Sequence, residues 1–279
     1  MIEFFEVFLN SDIVFLRYAV VAAFFSSVIF GFMGTYVVTR RISYLAGSIS
    51  HTVLGGIGLG LYLSRVKNIS WFTPMVGAFL VSIFAAFIVN WVSTHSKERE
   101  DTIIGTIWAF GMGGGLLFIA KTPGHMDPMS YLFGNILMIS YIDLWAVLIL
   151  SIIVLFIFFV FYNIIICVGF DEEFARLRGI NTRLFNLLML CLIAVSIVTM
   201  VRIVGIILVI AMLTIPAAIS QKFTRNFRQM AVCASAVSFV SFVVGLYLSY
   251  ITDLPSSATI VTFVAVVYFV FLGVFSKKV

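Results

Sequence analysis

Between Asp143 and Asp171 the chain runs for 27 residues without a charged side chain. About 20 apolar residues of helix cross the hydrocarbon core of a bilayer, and a helix that is apolar all round has no face to offer water. Similar runs lie near 15–38, 43–64, 72–94, 102–120, 184–201, 203–220, 229–250 and 256–275, with the run above at 141–168. Outer-membrane strands alternate apolar and polar over about ten residues, which these runs do not. With 62% hydrophobic and 10% charged residues among 279 positions, too little polar surface exists for a soluble globule. The expectation is an all-α polytopic membrane protein with eight or nine transmembrane helices in a single domain over 1–279. The sixth and seventh runs leave the count open, because Arg202 and Gly205 divide a stretch that suits one bent helix, two short ones, or a span with a re-entrant piece.

Charge sets the orientation. Most of the 17 Lys and Arg fall in five segments: Arg40–Arg41, Lys97–Arg99, Arg176–Arg183, Lys222–Arg228 and Lys277–Lys278. The positive-inside rule makes these cytoplasmic, with the acidic N-terminal segment (Glu3, Glu6, Asp12) outside and an odd number of spans. That acidic start is the reverse of a basic signal-peptide leader, so no cleaved signal is expected. The net charge of +5 is a topology signal and not a nucleic-acid footprint. Cys167, Cys191 and Cys233 have no disulfide or zinc spacing and read as packing residues.

Catalytic signatures are missing. The chain has no G-x-x-x-x-G-K-[ST], H-E-x-x-H or G-x-S-x-G, and its carboxylates fall at span ends or in loops. It is therefore not expected to be an enzyme. What the spans do carry is glycine: Gly56 and Gly60 form a G-x-x-x-G, and Gly111 and Gly113–Gly115 crowd the fourth run. Such helices either pack closely or open a narrow path.

Within GSISHTVLGGIGLGLY (47–62) stands His51, on one helical stripe with Gly47 and Gly55 and beside Ser48. Neutral imidazole is a ligand for zinc and comparable metals; the alternative is a packed histidine bonded to a neighbouring hydroxyl or carbonyl. In KTPGHMDPMSYLFGN (121–135), His125 and Asp127 occupy a Pro- and Gly-rich outer loop, which is either an ordinary turn or the mouth of a path. At the other face, Pro216 is expected to end a helix and to lead into a short basic amphipathic segment, about 217–230, with Lys222, Phe223, Arg225, Phe227 and Arg228. This segment either rests on lipid headgroups or docks into a cytoplasmic partner.

Four pieces in this order, RRISYLAGSISHTVLGGIGLGLYL (40–63), MSYLFGNIL (129–137), DEEFARLRGI (171–180) and VGIILVIAMLTIPAA (204–218), resemble the membrane permease subunits of bacterial ABC importers for zinc, manganese and iron. The resemblance covers most of the chain. It implies a type-II importer permease fold in the bacterial inner membrane, as a homodimer or with a paired permease. It also implies cytoplasmic ATPase subunits that bind the ATP, an extracytoplasmic metal-binding protein, and a transported divalent ion with no permanent cofactor. His51 would then face the path, and Pro216 through Arg228 would couple to the ATPase. The family usually carries an aspartate four residues before this histidine; here Gly47 stands in its place, so the two-ligand site is not carried over. An ATP-independent carrier or channel, or a non-transporting structural or receptor subunit, are the competing expectations. ATPase stimulation and ATP-dependent flux distinguish them.

Overall fold

The structure, a computed structural model, describes residues 14–95, 100–124, 129–134 and 136–275. Every regular element among them is helical: α1 (Val14–Thr39), α2 (Ser43–Arg65), α3 (Pro74–His95), α4 (Glu100–Ala120), α5 (Met129–Phe133), a 3-10 turn (Ile136–Met138), α6 (Tyr141–Val160), α7 (Tyr162–Phe170), α8 (Glu172–Leu177), α9 (Thr182–Val204), α10 (Ile206–Gln221), α11 (Phe227–Thr252) and α12 (Ser256–Phe275). Seven are long and apolar enough to cross a membrane: α1, α3, α4, α6, α9, α11 and α12.

Two expected spans fall outside that set for different reasons. The 23 residues of α2 suffice in length, but its five glycines, four serines, Thr52 and His51 dilute its apolar character. α10 is apolar and only 16 residues long, about 24 Å against a hydrocarbon core of about 30 Å. The run 141–168 is broken as well, by a turn at Phe161 (φ −98°, ψ 16°) between α6 and α7. At the start of α6, Ser140 and Asp143 form a reciprocal capping box, so that carboxylate is used to close a helix end.

The chain divides into two compact units. One comprises Met1–Val38, Phe133–Tyr162 and Ile203–Val279. Lipid tails are as apolar as leucine, so bilayer helices associate through close packing and not through escape from water. Accordingly, a methyl group on Gly34 would lie 2.5 Å from the Leu213 carbonyl oxygen, and one on Gly245 2.6 Å from Ile260. Ala217, Met230 and Ala234 form a buried cluster with Val38 against it, and Phe30 stacks on Phe242 with centroids 6.1 Å apart.

α10 does not end at Pro216 as expected but continues to Gln221. The ring removes one backbone N–H, yet Leu213 and Ala217 around it are almost wholly buried, and packing holds the helix where a hydrogen bond is lost. The break comes earlier, at Gly205, whose φ of 82° separates α9 from α10; the stretch is two helices and not one bent rod. Gly134 (φ 60°) meets this break backbone to backbone: a methyl group there would sit 2.6 Å from the Val204 carbonyl carbon. Both glycines need the left-handed region and close approach.

The second unit comprises Thr39–Leu132 and Asn163–Arg202. Here α2 is clasped on two sides. Toward α3, a methyl group on Gly56 would lie 2.6 Å from Ala78 Cα, and one on Gly60 2.6 Å from Pro74 Cα. Toward α4, one on Gly55 would lie 2.7 Å from the Gly111 carbonyl oxygen, and one on Gly111 2.7 Å from Thr52 Cα. Gly58 and Gly115 meet in the same way. The glycines of α2 are therefore divided between two neighbours, and this is why so polar a helix sits at the centre of its unit.

Candidate functional site

Position 47 opens on space. Gly47 is buried, yet a methyl group there would meet nothing within 4 Å. Beside it Ser48 is fully buried and donates its hydroxyl to the Leu45 carbonyl at 3.0 Å. One turn on, His51 is half-buried; its Nδ1 is buried with no hydrogen-bond partner. The hydrogen-bonded core histidine weighed from the sequence is thus not what the structure shows at this nitrogen. The ring lies instead against Trp108 of α4, centroids 4.4 Å apart and planes inclined by 11°. Trp108 donates its Nε1–H to the Met112 sulfur at 3.2 Å.

The stripe of Gly47, His51 and Gly55 closes at Gly55, which is pressed on Gly111. Gly47 faces open space, whereas helix packing uses Gly55. Trp108 escaped the sequence reading although its spacing was legible: Trp108, Gly111 and Gly115 recur at three and four residues on one face of α4. Among the described residues no three of His, Cys, Asp and Glu gather into a metal-holding group. His125 and Asp127 lie outside the described residues.

The segment after α10 differs from the expected surface helix. Residues 222–226 form turns, and Phe227 already begins α11. Lys222 and Arg225 are exposed, and Phe223 is 59% exposed with its ring 5.2 Å from that of Phe271. Phe227 turns inward, stacked on Phe158 at 6.2 Å, while Arg228 lies 3.9 Å above the Tyr162 ring. Of the six residues expected to couple, Lys222, Phe223, Arg225 and Arg228 are exposed, Phe223 against Phe271 and Arg228 in a cation–π contact with Tyr162, while Pro216 is buried and Phe227 packs on Phe158.

A charged cluster at the Arg40 end was not foreseen. Glu172 bridges Arg40 (3.1 Å) and Arg176 (2.8 Å); Arg40 also donates to the Val168 carbonyl at 2.7 Å, and Arg176 to Thr182 at 3.1 Å. Burial works to raise the Glu172 carboxyl, but hydrogen bonds from Arg176 and Arg40, the Arg40 charge and Thr182 outweigh it and hold its pKa below the ordinary value. Direct contact puts the Arg40 and Arg176 loops at one end of the unit, in agreement with the charge count.

Residues 12–275 match the model of the ABC 3 transport family. The chain belongs to that family. An uncharacterised membrane protein of Synechocystis sp. is 36% identical over 260 residues, 93% of this chain and 90% of that one. The manganese transport system membrane protein MntC of Listeria monocytogenes is 31% identical over 256 residues, 92% and 89% of the two chains. Among solved structures, PsaBC from Streptococcus pneumoniae in complex with Fab contains a chain that superposes with a TM-score of 0.83 at 26% identity, covering 98% of this chain and 95% of that one. As an ABC 3 family member the chain is a multi-pass membrane protein and a transport component. The family match takes in His51, the glycine contacts and the Lys222–Arg225 turn together.

Proposed function

We propose that the chain is the permease subunit of an ATP-binding-cassette importer that carries a divalent transition metal, manganese ahead of zinc or iron, across the bacterial inner membrane. The family match over nearly the whole chain carries this reading; the likeness to a relative named for manganese transport favours that metal. ATP is hydrolysed on a separate cytoplasmic ATPase subunit, and an extracytoplasmic protein delivers the ion. Two permeases, this chain twice or with a paired one, flank the path in a type-II importer fold. α2 and α10 serve as spans with the seven helices that are both long and apolar, giving nine and leaving Arg40, Arg176 and Lys222 in the cytoplasm.

The ion passes Gly47, Ser48 and His51. Imidazole nitrogen suits manganese, zinc and iron alike, and a site with one protein ligand per subunit binds loosely enough to release. Lys222, Phe223 and Arg225 transmit the ATPase stroke. The permease, reconstituted with its ATPase in liposomes, is expected to show ATP-driven Mn²⁺ uptake that exceeds Zn²⁺ and Fe²⁺ uptake. Uptake that is indifferent to ATP would assign the chain to the carriers or channels instead.

A further inference from the structure

We infer that Trp108 is the positioning residue for His51, fixing the imidazole plane by stacking where metal-site histidines are ordinarily fixed by a hydrogen bond. The inference rests on the reading that His51 lies on the metal's route. A ligating histidine almost always has its second ring nitrogen bonded to a carboxylate, carbonyl or water, which sets the ring's orientation. His51 has no such restraint at Nδ1, which is buried and unbonded. Nor does position 47, four residues earlier on the same helix, supply a side-chain acceptor, since it is glycine beside open space. What bears on the ring is the Trp108 face, near-parallel at 4.4 Å.

That face is itself held. Trp108 Nε1–H reaches the Met112 sulfur one turn along α4, and α4 is brought against α2 by the contact of Gly111 with Thr52 and of Gly115 with Leu54. The chain of restraint runs from glycine packing to indole to imidazole. Stacking restricts the ring to a plane while leaving Nδ1 without a competing hydrogen bond. An electron-rich indole face also favours the positive charge that a metal-bound imidazole acquires.

The test measures ATP-driven Mn²⁺ uptake by the complete permease–ATPase complex in liposomes. Trp108→Leu is expected to raise KM for Mn²⁺ by about ten-fold or more, the usual cost of losing a residue that orients a ligand, whereas Trp108→Phe, which keeps an aromatic face, stays near the parent. In a His51→Ala background the Trp108→Leu change should add nothing, because its effect passes through His51. An equal effect of Trp108→Leu with and without His51 would overturn the inference, as would a parental KM in Trp108→Leu when His51→Ala impairs uptake. Uptake unchanged by His51→Ala removes the route reading and this role with it. A second measurement does not depend on how the leucine variant folds. With Trp71, Trp91 and Trp145 replaced by Phe, Mn²⁺ should quench the remaining Trp108 fluorescence, and His51→Ala should abolish the quenching. Quenching that persists without His51 overturns the role.

Discussion

A Cβ at position 47 would meet open space. The space beside Gly47 accepts a side chain, and residues four apart share a helix face, so Gly47→Asp would put an acidic group one turn from His51. Two ligands hold a divalent ion more tightly than one, and a transport path suffers when an ion cannot leave. Gly47→Asp is expected to increase Mn²⁺ retained by the purified permease without raising uptake, and His51→Ala should remove most of that gain. Equal retention with and without His51 would show that the positions do not share an ion. The sequence made His51 and Gly47 visible because a polar residue and a missing side chain stand out in an apolar run. It did not reveal which of the neighbouring glycines face space and which face backbone, since a residue without a side chain looks the same in both settings. Trp108 is hidden for the converse reason: its spacing with Gly111 and Gly115 is legible, but in a chain with 30 Phe one more aromatic ring does not name its partner.

Helix packing rather than helix propensity decides the middle of the second unit. Gly111→Leu would drive a side chain into the Thr52 backbone on a helix clasped from both sides. Overpacking costs about 1–3 kcal/mol where neighbours can shift, and the backbone of α2 has no rotamer by which to shift. Gly111→Leu should therefore lower the melting temperature in detergent markedly, while Gly113→Leu, at a position with nothing within 4 Å, should leave it nearly unchanged. At the other end of the chain, the pair Lys222→Glu and Arg225→Glu should abolish ATP-driven uptake with the permease still inserted, because reversing exposed charges sets repulsion against a complementary partner surface. Undiminished uptake would assign that turn to lipid headgroups. Phe227→Ala is a different kind of variant: its ring stacks on Phe158, so its first effect should be on stability. The end of α10 is placed too early by a reading that rests on Pro216, because a buried helix tolerates proline; the break at Gly205 is one the sequence does mark, since glycine alone takes that backbone conformation freely.

At the scale of the whole molecule, span positions were legible because bilayer thickness imposes a length on apolar runs, whereas contacts between distant segments were not. Arg40 and Glu172 are 132 positions apart, and nothing in either neighbourhood names the other. Their cluster makes stability depend on acidity. With the Glu172 pKa lowered in the folded protein, its contribution is complete above the ordinary carboxylate range and is lost as pH falls through and below it. Glu172→Gln should cost on the order of 1 kcal/mol at neutral pH, and its melting curve should converge on the parent's as pH falls through and below the ordinary carboxylate range. Cysteines at Arg178 and Lys121, in a cysteine-free background, should be shielded from and open to impermeant reagents respectively in intact cells; equal labelling would refute the assigned orientation. The glycine clasp around α2 also bears on how such chains diverge. Where backbones touch, every other residue type is excluded, while an outward Phe can become Leu or Ile with little consequence in a bilayer. The positions that carry no side chain are thus the ones that hold the fold's inheritance, and distant descendants of this chain would be recognised by the spacing of their glycines after most of the apolar residues between them had changed.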